Sequence, residues 1–329
     1  MTALTDRFDR RITYLRLSVT DSCNFSCFYC KPEGGCSAED EVGILTADEI
    51  IKIARHAAEC GIAKIRLTGG EPLLRPDLTD IVRNIRAIPG ISELTLTTNG
   101  YLLEKMAVPL AEAGLNRVNV SLDSLCPDTF RHITQGGEVV NTLRGVKAAI
   151  RVGLNPLKIN VVLLKGLNGG EIEDFARLTF KGDIHVRFIE YMPMTGDRNR
   201  WHVHYLPLSA AMERCAAIAH MAEVSPEDNG GPARCFRLSG ADGTIGFISP
   251  FSRHFCQECN RLRVSARGML RGCLYNPSEI NMRPLLDKDD AVRAAFAAAL
   301  AVKPDPAAVE SDPLIRCQSG RQGMLSIGG

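Results

Sequence analysis

The sequence predicts an α/β protein in which short strands form a parallel sheet joined by helical crossovers. Two observations carry that expectation. Short β-branched apolar runs alternate with longer helical patterns, and the unit of strand then helix repeats six times before residue 193. A parallel sheet needs this rhythm, because each strand must be followed by a crossover before the next can run in the same direction. The candidate strands are 12–19, 63–67, 94–97, 117–122, 158–164 and 185–191. The clearest crossover spans 46–61: Thr46 and Glu49 make a capping box, Ile50, Ile53, Ala54, Ala57 and Ala58 form an apolar stripe, and Gly61 supplies the stop. Periodicity alone leaves open whether the sheet stays open or closes toward a barrel.

Beyond residue 193 the rhythm changes, which divides the chain into an expected core, 1–193, and a C-terminal region, 194–329. A helix-like stretch at 209–220 and short apolar runs at 235–238 and 244–248 no longer alternate cleanly. An alanine-rich helix follows at 289–302, then a proline-rich link and a glycine-rich tail.

Composition bounds the chemistry. With 45% hydrophobic and 23% charged residues among 329, the chain can bury a sizeable core as one large or two smaller soluble domains. A net charge of +1 argues against a general nucleic-acid binder, so an anionic substrate must be met by a local cluster of arginine and lysine. No apolar run is long enough to cross a membrane, and the polar N-terminal stretch lacks a secretory apolar segment; a cytoplasmic location is expected. In that compartment twelve cysteines point to metal binding more than to disulfides.

Half of those cysteines fall into two groups. Cys23, Cys27 and Cys30 form a C-x-x-x-C-x-x-C run with Tyr29 in the aromatic slot before the last, in a polar segment with Asp21, Asn24 and Lys31-Pro32 that reads as a loop. Three thiolates can hold three irons of a [4Fe–4S] cube and leave the fourth open to a small molecule. The spacing is neither that of zinc pairs nor that of bacterial ferredoxins. Cys256 and Cys259, followed by Cys273 after thirteen intervening residues, make a second set of three. A zinc ribbon would want two C-x-x-C pairs, yet His254 could complete a zinc site, and that alternative stays open here. Cys36, Cys60, Cys126, Cys215, Cys235 and Cys317 read as core or surface thiols.

Together with Gly69-Gly70-Glu71-Pro72 after the second strand, the first cysteine run resembles the radical S-adenosylmethionine (SAM) superfamily. That resemblance implies a partial (β/α)6 TIM-like barrel whose active groups sit at the C-terminal ends of strands. The motifs fall there: the cysteine loop after the first strand, Gly69 to Pro72 after the second, Thr97-Thr98-Asn99-Gly100 after the third, and Ser121-Leu122-Asp123 after the fourth. It further implies that Tyr29, Gly70, Ser121 and Met192 contact SAM.

Segment 255–263 with Cys273, and the terminal Ile327-Gly328-Gly329, narrow the resemblance to the GTP 3′,8-cyclase family of molybdenum cofactor biosynthesis, over essentially the whole chain. The family implies a C-terminal extension carrying a second [4Fe–4S] cluster on Cys256, Cys259 and Cys273, whose open iron binds the guanine of GTP. Arg16, Arg66, Thr97, Lys158, Arg261, Leu262 and Arg263 are the implied GTP contacts; arginine forks suit phosphate oxygens. Gly328 and Gly329 are implied to enter the active site in a catalytic supporting role. Implied partners are an external electron donor and the next enzyme of the pathway, cyclic pyranopterin monophosphate synthase. A homodimer is allowed, with no nucleic acid and no membrane. The rivals are a radical SAM peptide-modifying enzyme, which usually shows more C-terminal cysteines than the single Cys317 beyond Cys273, and a zinc-stabilised binding protein.

Overall fold

Each central strand alternates a polar with an apolar residue, and that alternation gives the sheet two chemically different faces. The computed structural model describes residues 4–30, 43–192, 198–225, 231–253 and 255–311. Its first half runs β1 (Tyr14–Ser18), α1 (Ala47–Glu59), β2 (Lys64–Thr68), α2 (Leu78–Arg86), β3 (Glu93–Thr98), α3 (Leu103–Glu112), β4 (Arg117–Ser121), α4 (Pro127–Thr134), α5 (Val139–Arg151), β5 (Leu157–Leu163), α6 (Ile172–Arg177) and β6 (Ile184–Glu190). There follow α7 (Arg198–His204), α8 (Leu208–Ala216), β7 (Met221–Val224), β8 (Arg234–Leu238), β9 (Ile245–Ile248), β10 (Arg261–Val264), β11 (Met269–Arg271), β12 (Ile280–Asn281), α9 (Asp289–Ala301) and α10 (Pro306–Ser311).

All twelve strands belong to one sheet, in the order β12-β11-β10-β1-β2-β3-β4-β5-β6-β9-β8-β7. The eight from β10 to β9 are parallel, and an antiparallel run continues each edge. Among the described residues, the region beyond residue 193 therefore builds no sheet of its own. It adds β10 beside β1 and β9 beside β6. Laid flat, β10 and β9 would lie about 34 Å apart at 4.8 Å per strand. Instead Arg261, Arg263 and Ile248 line the same cavity as residues of β1 to β6, so the sheet curls into a partial barrel.

The outer face carries Leu15, Leu17, Ile65, Leu67, Leu94, Leu96, Val118, Val120, Ile159, Val161, Val186 and Phe188, all buried against the helices. Such side chains contribute roughly 1.5–3 kcal/mol each on leaving water. The inner face carries Arg16, Arg66, Thr95 and Arg117 in neighbouring register on β1 to β4, and Asn119, Lys158 and His185 on β4 to β6. Parallel strands usually read as continuous apolar runs because both faces are dry. Here the period of two marks a polar interior.

Local details fix the loops over that interior. Thr46 and Glu49 form the expected capping box, with Thr46 N–H donating to Glu49 Oε2 (2.8 Å) and Glu49 N–H to Thr46 Oγ1 (3.2 Å). Helix α5 approaches the turn after β3 so closely that a Cβ on Gly145 would lie 2.3 Å from the Gly100 carbonyl oxygen. From the same helix Thr142 Oγ1 donates to the Asn99 carbonyl (2.9 Å), so the Thr97 to Gly100 segment is held from outside.

Candidate active site

A cavity of about 320 Å³ opens inside the curl, with the Cys23, Cys27 and Cys30 thiols at its rim and Arg16, Arg66, Arg187, Arg261 and Arg263 on its floor. The rim depends on close backbone approach. Gly70 N–H donates to the Thr20 carbonyl (2.8 Å) and Glu71 N–H to the Ser22 carbonyl (2.7 Å), docking the segment after β2 against the chain that leads into the cysteines. A Cβ on Gly69 would lie 2.4 Å from Thr20 O, and one on Gly70 2.2 Å from Ser22 O. No side chain fits at either place. The far side of the cysteine loop is pinned to the end of α4, through Ser26 N–H to Thr134 O (3.0 Å) and Phe28 N–H to Ile133 O (3.2 Å).

Two buried carboxyls organise this rim. Glu71 accepts from Asn99 N–H (2.6 Å), Thr98 Oγ1 (2.7 Å) and Leu73 N–H (3.0 Å), tying the ends of β2 and β3 together. Burial drives its pKa up to about 7, against the pull of those three donors. Asp123, after β4, accepts from the Tyr29 hydroxyl and from Val162 N–H (2.8 Å) on β5. Burial raises it to about 6, with both donors opposing. Tyr29 is thereby fixed beside the thiols.

The floor is a cationic patch. Burial and then Arg16, Arg117 and Arg187 pull the Arg66 guanidinium down to about 9, with Tyr14 opposing; Arg16 and Arg263 are brought to about 10 by burial and neighbouring arginines. Burial would push Tyr14 up, but Arg66, Arg16, Arg261 and Lys64 together bring it down to about 8. A bound anion would stabilise cations gathered in this way. Among the described residues, Thr97 Oγ1, Asn160 Oδ1 and Arg261 Nε are buried without a hydrogen-bond partner, and all three residues line the cavity. Buried polar groups are normally satisfied, so this pocket is built for a polar, anionic ligand.

The surroundings of the two thiol triads differ, and each bears on how readily its cysteines become the thiolates that a metal cluster takes. Cys27 is pushed well up by burial, then by Asp123, Cys30 and Cys23, a strain that cationic iron removes. Phe25 N–H points at Cys23 Sγ (3.4 Å), the kind of donor that tunes cluster sulfurs. In the second triad, Tyr275 N–H donates to Cys273 Sγ (3.4 Å) and Lys303 Nζ to Cys259 Sγ (3.7 Å). Burial pushes Cys259 up, yet Lys303, Arg261 and Arg10 bring it down to about 7. Cys256 rises to about 11 through burial and its two sister thiols. Among the described residues, no three Cys, His, Asp or Glu side chains gather as a site for a single metal ion.

Of the residues singled out in the sequence, Tyr29, Gly70, Ser121, Met192, Arg16, Arg66, Thr97, Arg261 and Arg263 share the cavity with Cys23, Cys27 and Cys30. Lys158 is buried on the inner face below Asn160, outside that lining. Strand alternation turns the Leu262 side chain into the apolar layer beside Leu15, so only its backbone faces the site. Cys256, Cys259 and Cys273 adjoin the cavity through their neighbours Phe255 and Leu274. His254, Cys36, Cys317, Gly328 and Gly329 lie outside the described residues. The sequence reading passed over Glu71, Asp123, Asn160 and Arg187 as individual site residues. Arg187 could have been found: His-Val-Arg-Phe in β6 repeats the alternation of Tyr-Leu-Arg-Leu in β1.

Comparison with known proteins agrees with this arrangement. The profile of the Radical SAM superfamily matches residues 17–179, and that of Molybdenum Cofactor Synthesis C matches residues 184–309. A GTP 3′,8-cyclase of Petrotoga mobilis is 46% identical over 306 residues, 92% of this chain and 94% of that protein. One from Listeria welshimeri is 48% identical over 287 residues, 87% of this chain and 86% of its own. Among solved structures, Streptococcus suis SuiB superposes with a TM-score of 0.64 over 91% of this chain and 68% of its own at 16% identity, a likeness of fold.

Two measurements on the metal-free protein check the site. Inorganic triphosphate at about 100 times its dissociation constant should stabilise the chain by about 2.7 kcal/mol. In thermal unfolding, Arg66→Met should lose most of that shift; an equal shift in the variant would place the anion elsewhere.

The second is a pH dependence. Glu71 stands at about 7 in the fold against an ordinary 4.5, so the native state holds its proton more tightly. Its contribution to stability is complete below about pH 4.5 and is lost as pH rises through about 7. Between those limits the parent should lose roughly 3 kcal/mol relative to Glu71→Gln. Parallel stability curves for the two proteins would contradict the assignment.

Proposed function

The chain belongs to the GTP 3′,8-cyclase family of radical SAM enzymes, and on that premise we propose that it converts GTP to (8S)-3′,8-cyclo-7,8-dihydroguanosine 5′-triphosphate, the first step of molybdenum cofactor biosynthesis. One observation carries the reading: a cationic floor able to take a triphosphate lies in the same cavity as the cysteine loop. When bound, a [4Fe–4S] cluster held by Cys23, Cys27 and Cys30 and a molecule of SAM supply a radical strong enough to take hydrogen from an unactivated carbon.

The chain's own residues do the rest. Gly70, docked against Thr20 and Ser22 at the cavity wall, borders the amino acid end of SAM with its backbone. Tyr29, held by Asp123, and Ser121 and Met192 at the ends of β4 and β6 border the remainder of that ligand. Arg16, Arg66, Arg261 and Arg263 take the triphosphate, supported by Lys158 and Arg187, and Thr97 fills its unsatisfied hydroxyl with the nucleotide. Such placement brings the ribose carbon and the guanine C8 into one enclosed space, where orientation supplies much of the advantage. Cys256, Cys259 and Cys273 hold a second [4Fe–4S] cluster at the base end, and Leu262 contributes backbone. Gly328 and Gly329 support ring closure from the tail. An external electron donor feeds the reaction, and cyclic pyranopterin monophosphate synthase takes the product.

Anaerobically reconstituted protein should hold about eight irons per chain. With GTP, SAM and a reductant it should yield the cyclic nucleotide, identified by mass and by its 3′,8 bond. Removing Gly328 and Gly329 should keep the iron and the cleavage of SAM while sharply lowering product. Recovery of unchanged GTP from the parent, with SAM consumed, would reject the substrate; a tail-deleted protein working at the parent rate would reject the role of the tail.

A further inference from the structure

Lys303 follows α9 and is 1% exposed, yet among the described residues it has no carboxylate partner. Its three N–H groups go elsewhere: to the Gly272 carbonyl (2.8 Å), the Arg261 carbonyl (3.1 Å) and Cys259 Sγ (3.7 Å). Those acceptors flank the second triad, since Gly272 precedes Cys273 and Arg261 follows Cys259 by two residues. The neighbouring Pro304 carbonyl is held by Arg10, which also donates to the Cys256 carbonyl (2.7 Å). Arg10 has its own counterion, Asp6 at 2.6 Å. A lysine buried without an anion is costly and normally sheds its charge or finds a partner. Among the described residues, the group in hydrogen-bond contact with its ammonium that can carry a negative charge is the Cys259 thiol.

We propose that Lys303 is a positioning residue that acts as counter-cation to the cluster at Cys256, Cys259 and Cys273, and so makes that cluster more easily reduced than it would be without the ammonium. The proposal rests on the reading that the second triad holds iron. A cluster on three thiolates is net negative and becomes more so on accepting an electron; a fixed ammonium at its sulfur stabilises the reduced form more than the oxidised one. A hydrogen bond to the cluster sulfur acts in the same direction.

The test uses full-length protein in which Cys23, Cys27 and Cys30 are alanine, reconstituted with iron and sulfide, so that one cluster remains. Its midpoint potential is read by electron paramagnetic resonance during a reductive titration. Lys303→Met should lower the potential by at least the equivalent of tenfold in the reduction equilibrium, about 59 mV for one electron, while Lys303→Arg stays near the parent. Should Lys303→Met not fold, Lys303→Gln keeps a donor and removes the charge, and the same drop is expected. Four irons with an unmoved potential in the neutral variant would overturn the role of Lys303. Absence of iron in the triple-alanine protein would overturn the second cluster itself, and the proposal with it.

Discussion

Arginines gathered in one enclosed space are the constraint on which the rest of this structure depends. Arg16, Arg66 and Arg187 are each less than a tenth exposed, and Arg263 faces the same cavity. Burial, and then the neighbouring arginines, lowers the affinity of Arg16, Arg66 and Arg263 for their protons, and a polyanion bound among them would offset that cost. What holds them there is the opposite face of the same strands, where leucine, isoleucine and valine pack on the helices. Each strand thus exchanges stability gained outside for binding capacity inside, a trade common at functional sites.

Placement of the chemistry follows from the ends of those strands. The backbone after β2 can dock on the cysteine loop only because Gly69 and Gly70 lack side chains. Glu71 then ties that turn to the end of β3, and Asp123 ties Tyr29 to β4 and β5. The strands added at the edges complete the arrangement: β10 carries Arg261 and Arg263 into the cavity directly after Cys259. Two arginines of the cavity, Arg261 and Arg263, and two cysteines of the second triad, Cys256 and Cys259, therefore lie on one continuous piece of chain.

Much of this was legible in the sequence, for a physical reason in each case. Strand and crossover rhythm, the capping box at Thr46 and the cysteine runs are local patterns, and local patterns survive in one dimension. The alanine-rich stretch expected at 289–302 forms a helix over Asp289–Ala301. What stayed hidden depends on distant partners. Nothing near Arg261 announces that it will lie beside Tyr14, so the joining of the C-terminal region to both edges of the first sheet had no signal. Lys303 sits in a proline-rich link with no motif around it, and only the fold brings it to Cys259. Leu262 shows the reverse failure: a contiguous Arg-Leu-Arg reads as one site, whereas strand alternation sends its middle side chain to the other face.

Under the proposed function, the inside-out sheet holds a nucleoside triphosphate next to the cysteine loop. A crystal structure of the reconstituted protein with GTP is the decisive measurement. The triphosphate is expected inside the curl, its oxygens paired with Arg16, Arg66 and Arg263, with the guanine toward Cys256, Cys259 and Cys273. Phosphates bound on the outer surface, or a nucleotide with its base toward Cys23, Cys27 and Cys30 and its phosphates in solvent, would contradict it.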